Sequence, residues 1–259
     1  MPTEAELAEA YAGWYRPETG RFSGPMDRIL GRLRGRLAGR IDRIAPPGPV
    51  LDVGSGNGEL LDALAARGRK AIGLERVSNR EDVIAGELVD VNLSSAAVVF
   101  WHSLEHLPAA GAAVEHAAGI LEPNGVVIVA MPNPASIQAR AFGDRWLALD
   151  LPRHLVHVPA PALLSRMQKV GLAIERVSYL RGGQVVFGWL HGLVGLLPGS
   201  PDLYDAIRRP EARSAPIGAP RRAAILAAAV LALPFAAAAA LFEAALRRGG
   251  SVYVEARRV

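Results

Sequence analysis

Apolar positions fall along this chain in two rhythms. Val50–Val53, Lys70–Glu75, Ala97–Trp101 and Gly125–Met131 are short apolar runs bounded by turn residues, and they read as buried strands. A weaker third strand is expected to end at Glu87. Between them the spacing turns helical: Leu60, Leu61 and Leu64 lead to a stop at Gly68, and a second helix is expected over Ala109–Leu121. Strands alternating with helical crossovers predict a parallel sheet. Upstream, Glu4–Tyr11 reads as a short helix followed by the aromatic pair Trp14-Tyr15. Met26–Ile44 reads as a longer one, with Ile29, Leu33, Leu37, Ile41 and Ile44 on one stripe and six arginines from Arg28 to Arg43 elsewhere. Downstream come a helix over Pro159–Gly171, a sixth strand over Ala173–Tyr179 and a seventh over Ser251–Arg257. About seventy residues separate those last two strands, far more than an ordinary loop.

The first strand runs straight into Gly54-Ser55-Gly56-Asn57-Gly58 and then a helix. Strand, glycine turn and helix open a doubly wound domain, which binds nucleotide-like ligands beyond the carboxyl ends of its strands. A dinucleotide fingerprint needs a glycine where Glu59 stands, and a carboxylate there repels a diphosphate. Asp52, just before the loop, also favours a cationic ligand. Glu75 ends the second strand about twenty residues on, where such folds hold ribose hydroxyls with a carboxylate.

The loop resembles motif I of the class I S-adenosylmethionine-dependent methyltransferases, and Phe100 to Pro108 (FWHSLEHLP) resembles their segment after the fourth strand. The resemblance covers roughly Pro46–Tyr179 and the last strand. It implies a Rossmann-like seven-stranded α/β sheet, mostly parallel with the last strand antiparallel, helices on both faces, and here an apolar helical insertion between strands six and seven. It implies S-adenosylmethionine as cofactor, held by Asp52, Gly54, Ser55, Gly56, Gly58 and Glu75, with Trp101 and His102 beside it. An acid accepting from the adenine amine would be Glu87, with Asp90 competing. His106 would open a helix near the substrate, and Trp146–His157 resembles a loop common in bacterial enzymes of this type. The implied chemistry is in-line attack on the activated methyl by an acceptor oxygen, with nitrogen or carbon as the alternatives. Histidine is the side-chain base suited to neutral pH. The candidates are His154, then His106 and His157, and the other reading is that the loop histidines brace their own loop by hydrogen bonds.

Composition narrows the setting. With 51% apolar residues, 259 residues bury a full core. The chain has no cysteine, which excludes disulfides and thiolate metal sites, and no metal site is expected. The acidic, polar first ten residues do not read as a signal peptide, so a cytoplasmic place is expected. The arginine-rich helix lacks interleaved aromatics, so no nucleic-acid partner is expected. The expected organisation is basic N-terminal helices over 1–45, a cofactor-binding core over 46–180, an apolar insertion over 181–249 and the last strand over 250–259.

The insertion holds Val185–Leu197, a Pro-Arg-rich link over Pro201–Arg222, and Ala223–Phe242, a run of about twenty residues without a charge. Because the seventh strand must return to the sheet, one lone span is excluded. Two readings stay open: a lid, or an in-plane helix giving peripheral contact with the inner face of a membrane. The acceptor is then a small molecule or a lipid-linked one. The competing function is a membrane-associated module that binds S-adenosylmethionine without turnover.

Overall fold

The computed structural model describes residues 2–11, 22, 25–180 and 183–259, without the side chains of residues 4 and 25–27. Trp14-Tyr15 lies outside the described residues. The strands are β1 (Val50–Val53), β2 (Ala71–Glu75), β3 (Val83–Ala85), β4 (Ser95–Trp101), β5 (Leu121–Pro132), β6 (Leu172–Ser178) and β7 (Ser251–Arg258). The helices are α1 (Glu4–Ala10), α2 (Pro25–Ile44), α3 (Glu59–Ala65), α4 (Ala110–Gly119), α5 (Ile137–Phe142), α6 (Ala160–Lys169), α7 (Gln184–Gly195), α8 (Leu203–Ile207) and α9 (Ala219–Ala245). The chain divides into two compact units.

The first unit comprises Ile29–Pro132, Val158–Ser178 and Val252–Val259. It carries one seven-stranded sheet in the order β3-β2-β1-β4-β5-β7-β6. Strands β1 to β5 pair in parallel, with Val50 opposite Ala71 and Ala97, and β6 pairs antiparallel with β7. This is the Rossmann-like methyltransferase architecture, mostly parallel with one antiparallel strand. Leu37, Ala38 and Ile41 of α2 and Leu60 and Leu64 of α3 pack on Val50, Val99 and Ile128. Leu51, Val98, Val127 and Val129, equally buried, point to the opposite face because side chains alternate along a strand. Arg40 binds the fully buried Glu255 of β7 through Nε at 2.8 Å and Nη2 at 2.5 Å, and Tyr253 donates to the same carboxylate at 2.6 Å. That ion pair and the apolar stripe fix α2 on the sheet.

Several local expectations shift. Ile29 is exposed, so only the C-terminal half of the α2 stripe is core. Glu87 lies beyond β3, opening a 3-10 turn over Leu88–Asp90. His106 does not open a helix. It closes a 3-10 turn over Leu104–His106, and α4 begins at Ala110 after Pro108. The residues between the expected helix and strand, Glu122–Asn124, are absorbed into β5, where the β4–β5 register shifts between Ser95 and Ala97 and Asn124 takes a left-handed φ of 62°.

The second unit comprises Met1–Arg28, Asn133–His157 and Tyr179–Ser251, as far as these are described. Here α7, α8 and α9 pack on one another around Val194, Leu203, Ala206, Ile225 and Ala229. Helix α9 runs through Pro234. The proline removes one backbone donor from the helix interior. Near its end the buried Glu243 accepts from the Gln138 backbone at 3.1 Å, the Gln138 side chain at 2.7 Å and the Gly250 backbone at 2.9 Å. Trp146 Nε1 donates to Gln138 Oε1 at 3.2 Å, which completes the lock.

Candidate active site

The β1 loop turns on glycines at positive φ. Gly54 has φ 76°, and a Cβ there would lie 2.4 Å from the Cβ of Ser103, so the β1 loop and the β4 loop touch backbone to side chain. Gly58, at φ 80°, is the N-cap of α3, and a Cβ would meet the Arg80 guanidinium at 2.5 Å. Arg80 closes over the loop: it donates to Asp82 at 2.9 Å and 2.8 Å, to Asp62 at 2.8 Å and to the Asn57 carbonyl at 3.1 Å. Sequence reading passed over Arg80, because its partners come from three separate segments.

Acids surround this loop. Glu75, at the end of β2, accepts from the Gly56 N–H at 2.5 Å, so the two expected ligand contacts converge. Asp52 is 3% exposed, and its Oδ1 is buried without a hydrogen-bond partner among the described residues. Burial pushes its carboxyl up to about 7, helped by the Glu75 charge and opposed by the Arg34 charge. An orphaned buried carboxylate beside a glycine loop is suited to a cation. Beyond β3 lies a cavity of about 240 Å³ lined by Ile84, Gly86, Glu87, Asp90, Val91 and Leu93. Both candidate acids therefore line one cavity.

The β4 edge supplies the rest of this unit's candidates. Trp101 ends the strand, packed edge to face against Tyr253 at 6.2 Å between centroids. His102 has a left-handed φ of 54°, a costly conformation for a residue with a Cβ, and it aims the ring toward Glu105. Its Nδ1 lies 3.4 Å from Oε1 of Glu105, which is buried. His106 follows in the same turn, partly exposed.

His154 and His157 belong to the other unit. His154 is largely buried; its Nδ1 donates to the Ala148 carbonyl at 2.8 Å, since a carbonyl only accepts. Nε2 is then the basic nitrogen of the neutral ring, 3.7 Å from Oδ2 of Asp150. His157 Nε2 bonds the Leu149 carbonyl at 3.0 Å, and the two rings pack edge to face. Arg153 is bound to Asp150 and, at 3.1 Å, to the Ala10 carbonyl. Sequence reading also missed Glu243 and Gln138 here; a lone carboxylate in an apolar helix was the available signal.

The methyltransferase domain family matches residues 26–177, more than half of the chain. The protein belongs to the class I S-adenosylmethionine-dependent methyltransferases. Its cofactor is S-adenosylmethionine. Three solved structures share the methyltransferase fold. A Galdieria sulphuraria protein assigned as a sarcosine dimethylglycine methyltransferase is 12% identical, with TM-score 0.55, 97% of this chain covered and 96% of that one. A SAM-dependent methyltransferase from Archaeoglobus fulgidus is 14% identical, with TM-score 0.52 and coverage of 91% and 100%. The [4+2]-cyclase SpnF is 19% identical, with TM-score 0.51 and coverage of 98% and 91%. That a cyclase carries the same fold shows that architecture does not by itself fix the reaction. No curated protein sequence matches this chain.

The methyltransferase site fits that cofactor on its own chemistry. It offers a buried orphaned carboxylate for an ammonium, a second carboxylate at the glycine loop for ribose hydroxyls, and an acid-lined cavity beyond β3. At the start of α3, where a dinucleotide fold seats a diphosphate, the carboxylate of Glu59 stands instead.

Proposed function

We propose that this methyltransferase methylates a hydroxyl of an amphiphilic acceptor, small-molecule or lipid-linked, while resting on the surface of a membrane. The observation that carries the proposal is the outer side of α9. Its buried stripe is Ile225, Ala229, Ala236, Ala240 and Glu243. Its opposite side, from Ala223 onward, is exposed and apolar: among others Val230, Leu231 (75% exposed), Phe235 (70%), Leu241 and Phe242. The most apolar 18-residue window of α9 is long and apolar enough to cross a membrane, yet it is only 22% buried. Exposed apolar surface of this extent marks an interaction site. Arg221 and Arg222 precede it and Arg247 and Arg248 follow it. Cations at both ends suit contact with anionic headgroups, and the return of β7 to the sheet favours a helix lying in their plane.

When bound, S-adenosylmethionine supplies a methyl group on a sulfonium that leaves as a neutral thioether. The chain's own part is positioning, exclusion of water and removal of the hydroxyl proton. Asp52, Gly54, Ser55, Gly56, Gly58 and Glu75 are the proposed cofactor residues, with Trp101, His102 and Glu87 flanking. His154 is the first candidate base: its Nδ1 donates to the Ala148 carbonyl, which orients the ring, and Asp150 lies 3.7 Å from Nε2 to stabilise the cation formed. His106 and His157 are the alternatives.

Flotation on anionic liposomes tests the proposal. The wild type should float and Leu231→Asp/Phe235→Asp should not, with cofactor binding intact. If the wild type stays at the bottom and sediments as a dimer that the double variant breaks, a second copy covers α9. If it stays at the bottom as a monomer and methylates a water-soluble acceptor, α9 is part of a lid.

A further inference from the structure

The acids of the site raise a problem that the cofactor must meet. S-adenosylmethionine carries a carboxylate next to its ammonium. Asp52, Glu59 and Glu75 all lie at the edge that receives it, and Glu87 and Asp90 line the cavity beyond β3. A sixth carboxylate among these is repelled unless a cation receives it. Within this unit the cations near the loop are Arg76, Arg80 and Arg34. Arg76 lies 4.0 Å from Glu87, by the cavity. Arg80 commits its three nitrogens to Asp82, Asp62 and Asn57. Arg34 is different. Its Nε donates at 3.3 Å to the half-exposed Glu59, and its two terminal nitrogens have no hydrogen-bond partner among the described residues. The fork that binds carboxylates in pairs is therefore uncommitted.

Position agrees with charge. The guanidinium carbon lies 5.7 Å from the centre of the Trp101 ring, at the end of β4. Its partner Glu59 opens α3, directly after the glycine loop. The strand order puts the cavity beyond β3, then Glu75 on β2, then the loop after β1, then Trp101 on β4. A ligand with its base in the cavity and its ribose at Glu75 lays its amino-acid end on the β1–β4 side. Arg34 stands there on a rigid support, because Leu37, Ile41 and the Arg40–Glu255 pair hold α2 to the sheet.

We infer that Arg34 receives the α-carboxylate of the cofactor, exchanging its half-exposed contact with Glu59 for a paired bond, and is thereby the residue that selects an intact amino-acid tail. The exchange is cheap, because an exposed single-point ion pair contributes little. The inference rests on the cofactor and not on the acceptor proposed above, so its failure leaves the acceptor reading untouched.

Calorimetry on the full chain tests it with three ligands: S-adenosylhomocysteine, its decarboxylated analogue, and 5′-methylthioadenosine, which has no amino-acid tail. The wild type should bind S-adenosylhomocysteine about tenfold or more tighter than the decarboxylated analogue, the scale of a charge-assisted hydrogen bond. Arg34→Gln should reduce that ratio to about one. Arg34→Lys should fall between, since it keeps the charge and loses the fork. All should bind methylthioadenosine equally, which shows that the site is intact. Should the glutamine variant fail that control, Arg34→Met, which keeps an aliphatic stem over Trp101, takes its place. A neutral variant that keeps the wild-type ratio overturns the inference, as does a wild type indifferent to the carboxylate.

Discussion

Cofactor binding should depend on pH through Asp52. Its carboxyl titrates at about 7 instead of the ordinary 3.8, because it is buried and faces the Glu75 charge. Ionising it in the unliganded protein costs on the order of 4 kcal/mol relative to water. A raised folded value means that the proton stabilises the fold. That contribution is complete below about 4 and is lost as pH rises through about 7. The melting temperature of the unliganded wild type should therefore fall over this window relative to Asp52→Asn. Ligand affinity should move the other way. An ammonium is attracted by the ionised carboxylate, so affinity falls by up to about tenfold for each pH unit below the midpoint and levels off above it. Calorimetry with S-adenosylhomocysteine between pH 5 and 8 reads this directly, with about one proton released at pH 6. Asp52→Asn should bind weakly and without a slope. A flat wild-type profile, or a slope that survives in Asp52→Asn, refutes the reasoning.

Glu75→Ala should weaken S-adenosylhomocysteine binding by about 1.5–3 kcal/mol, the scale of a hydrogen bond to a charged group. A 2′-deoxy analogue should then lose affinity on the wild type and little more on the variant. His154→Ala should lower turnover about a hundredfold with cofactor affinity unchanged if Nε2 takes the proton. A lower melting temperature with turnover retained makes His154 a brace held through Ala148. Glu243→Ala should destabilise the helical unit by roughly 3 kcal/mol or more, because three buried donors lose their acceptor, and thermal melts should show Glu243→Gln milder.

The sequence carried the sheet and the glycine loop well, since both are local. Strand, turn and helix follow one another within Val50–Ala65, and Glu75 falls where the next strand ends. What it hid was tertiary. Helices α5 and α8 have six and five residues, too few for a periodic signal. Helix α5 is held by Gln138, whose partner Glu243 lies 105 residues on, and α8 by Asp205, which accepts from Ser214 nine residues on, in a separate turn. Glu243, which directly follows the uncharged run, is an interior anchor that only the fold reveals. Arg34 looked like one of six equivalent arginines on α2. Only the fold separates it from Arg40, which is locked to Glu255, and from Arg32 and Arg36, which face outward. His106 was placed one turn too early in a helix because Pro108 delays α4 to Ala110.

The most direct measurement follows the methyl group itself. The full-length protein is incubated with methyl-labelled S-adenosylmethionine and anionic vesicles that carry a total membrane lipid extract, and the label is then partitioned between organic and aqueous phases. Label is expected in the organic phase, in a product that carries it as a methyl ether, and is expected to be lost when Leu231→Asp/Phe235→Asp abolishes flotation. Label confined to a water-soluble product, at the same rate in the double variant, contradicts the proposed function.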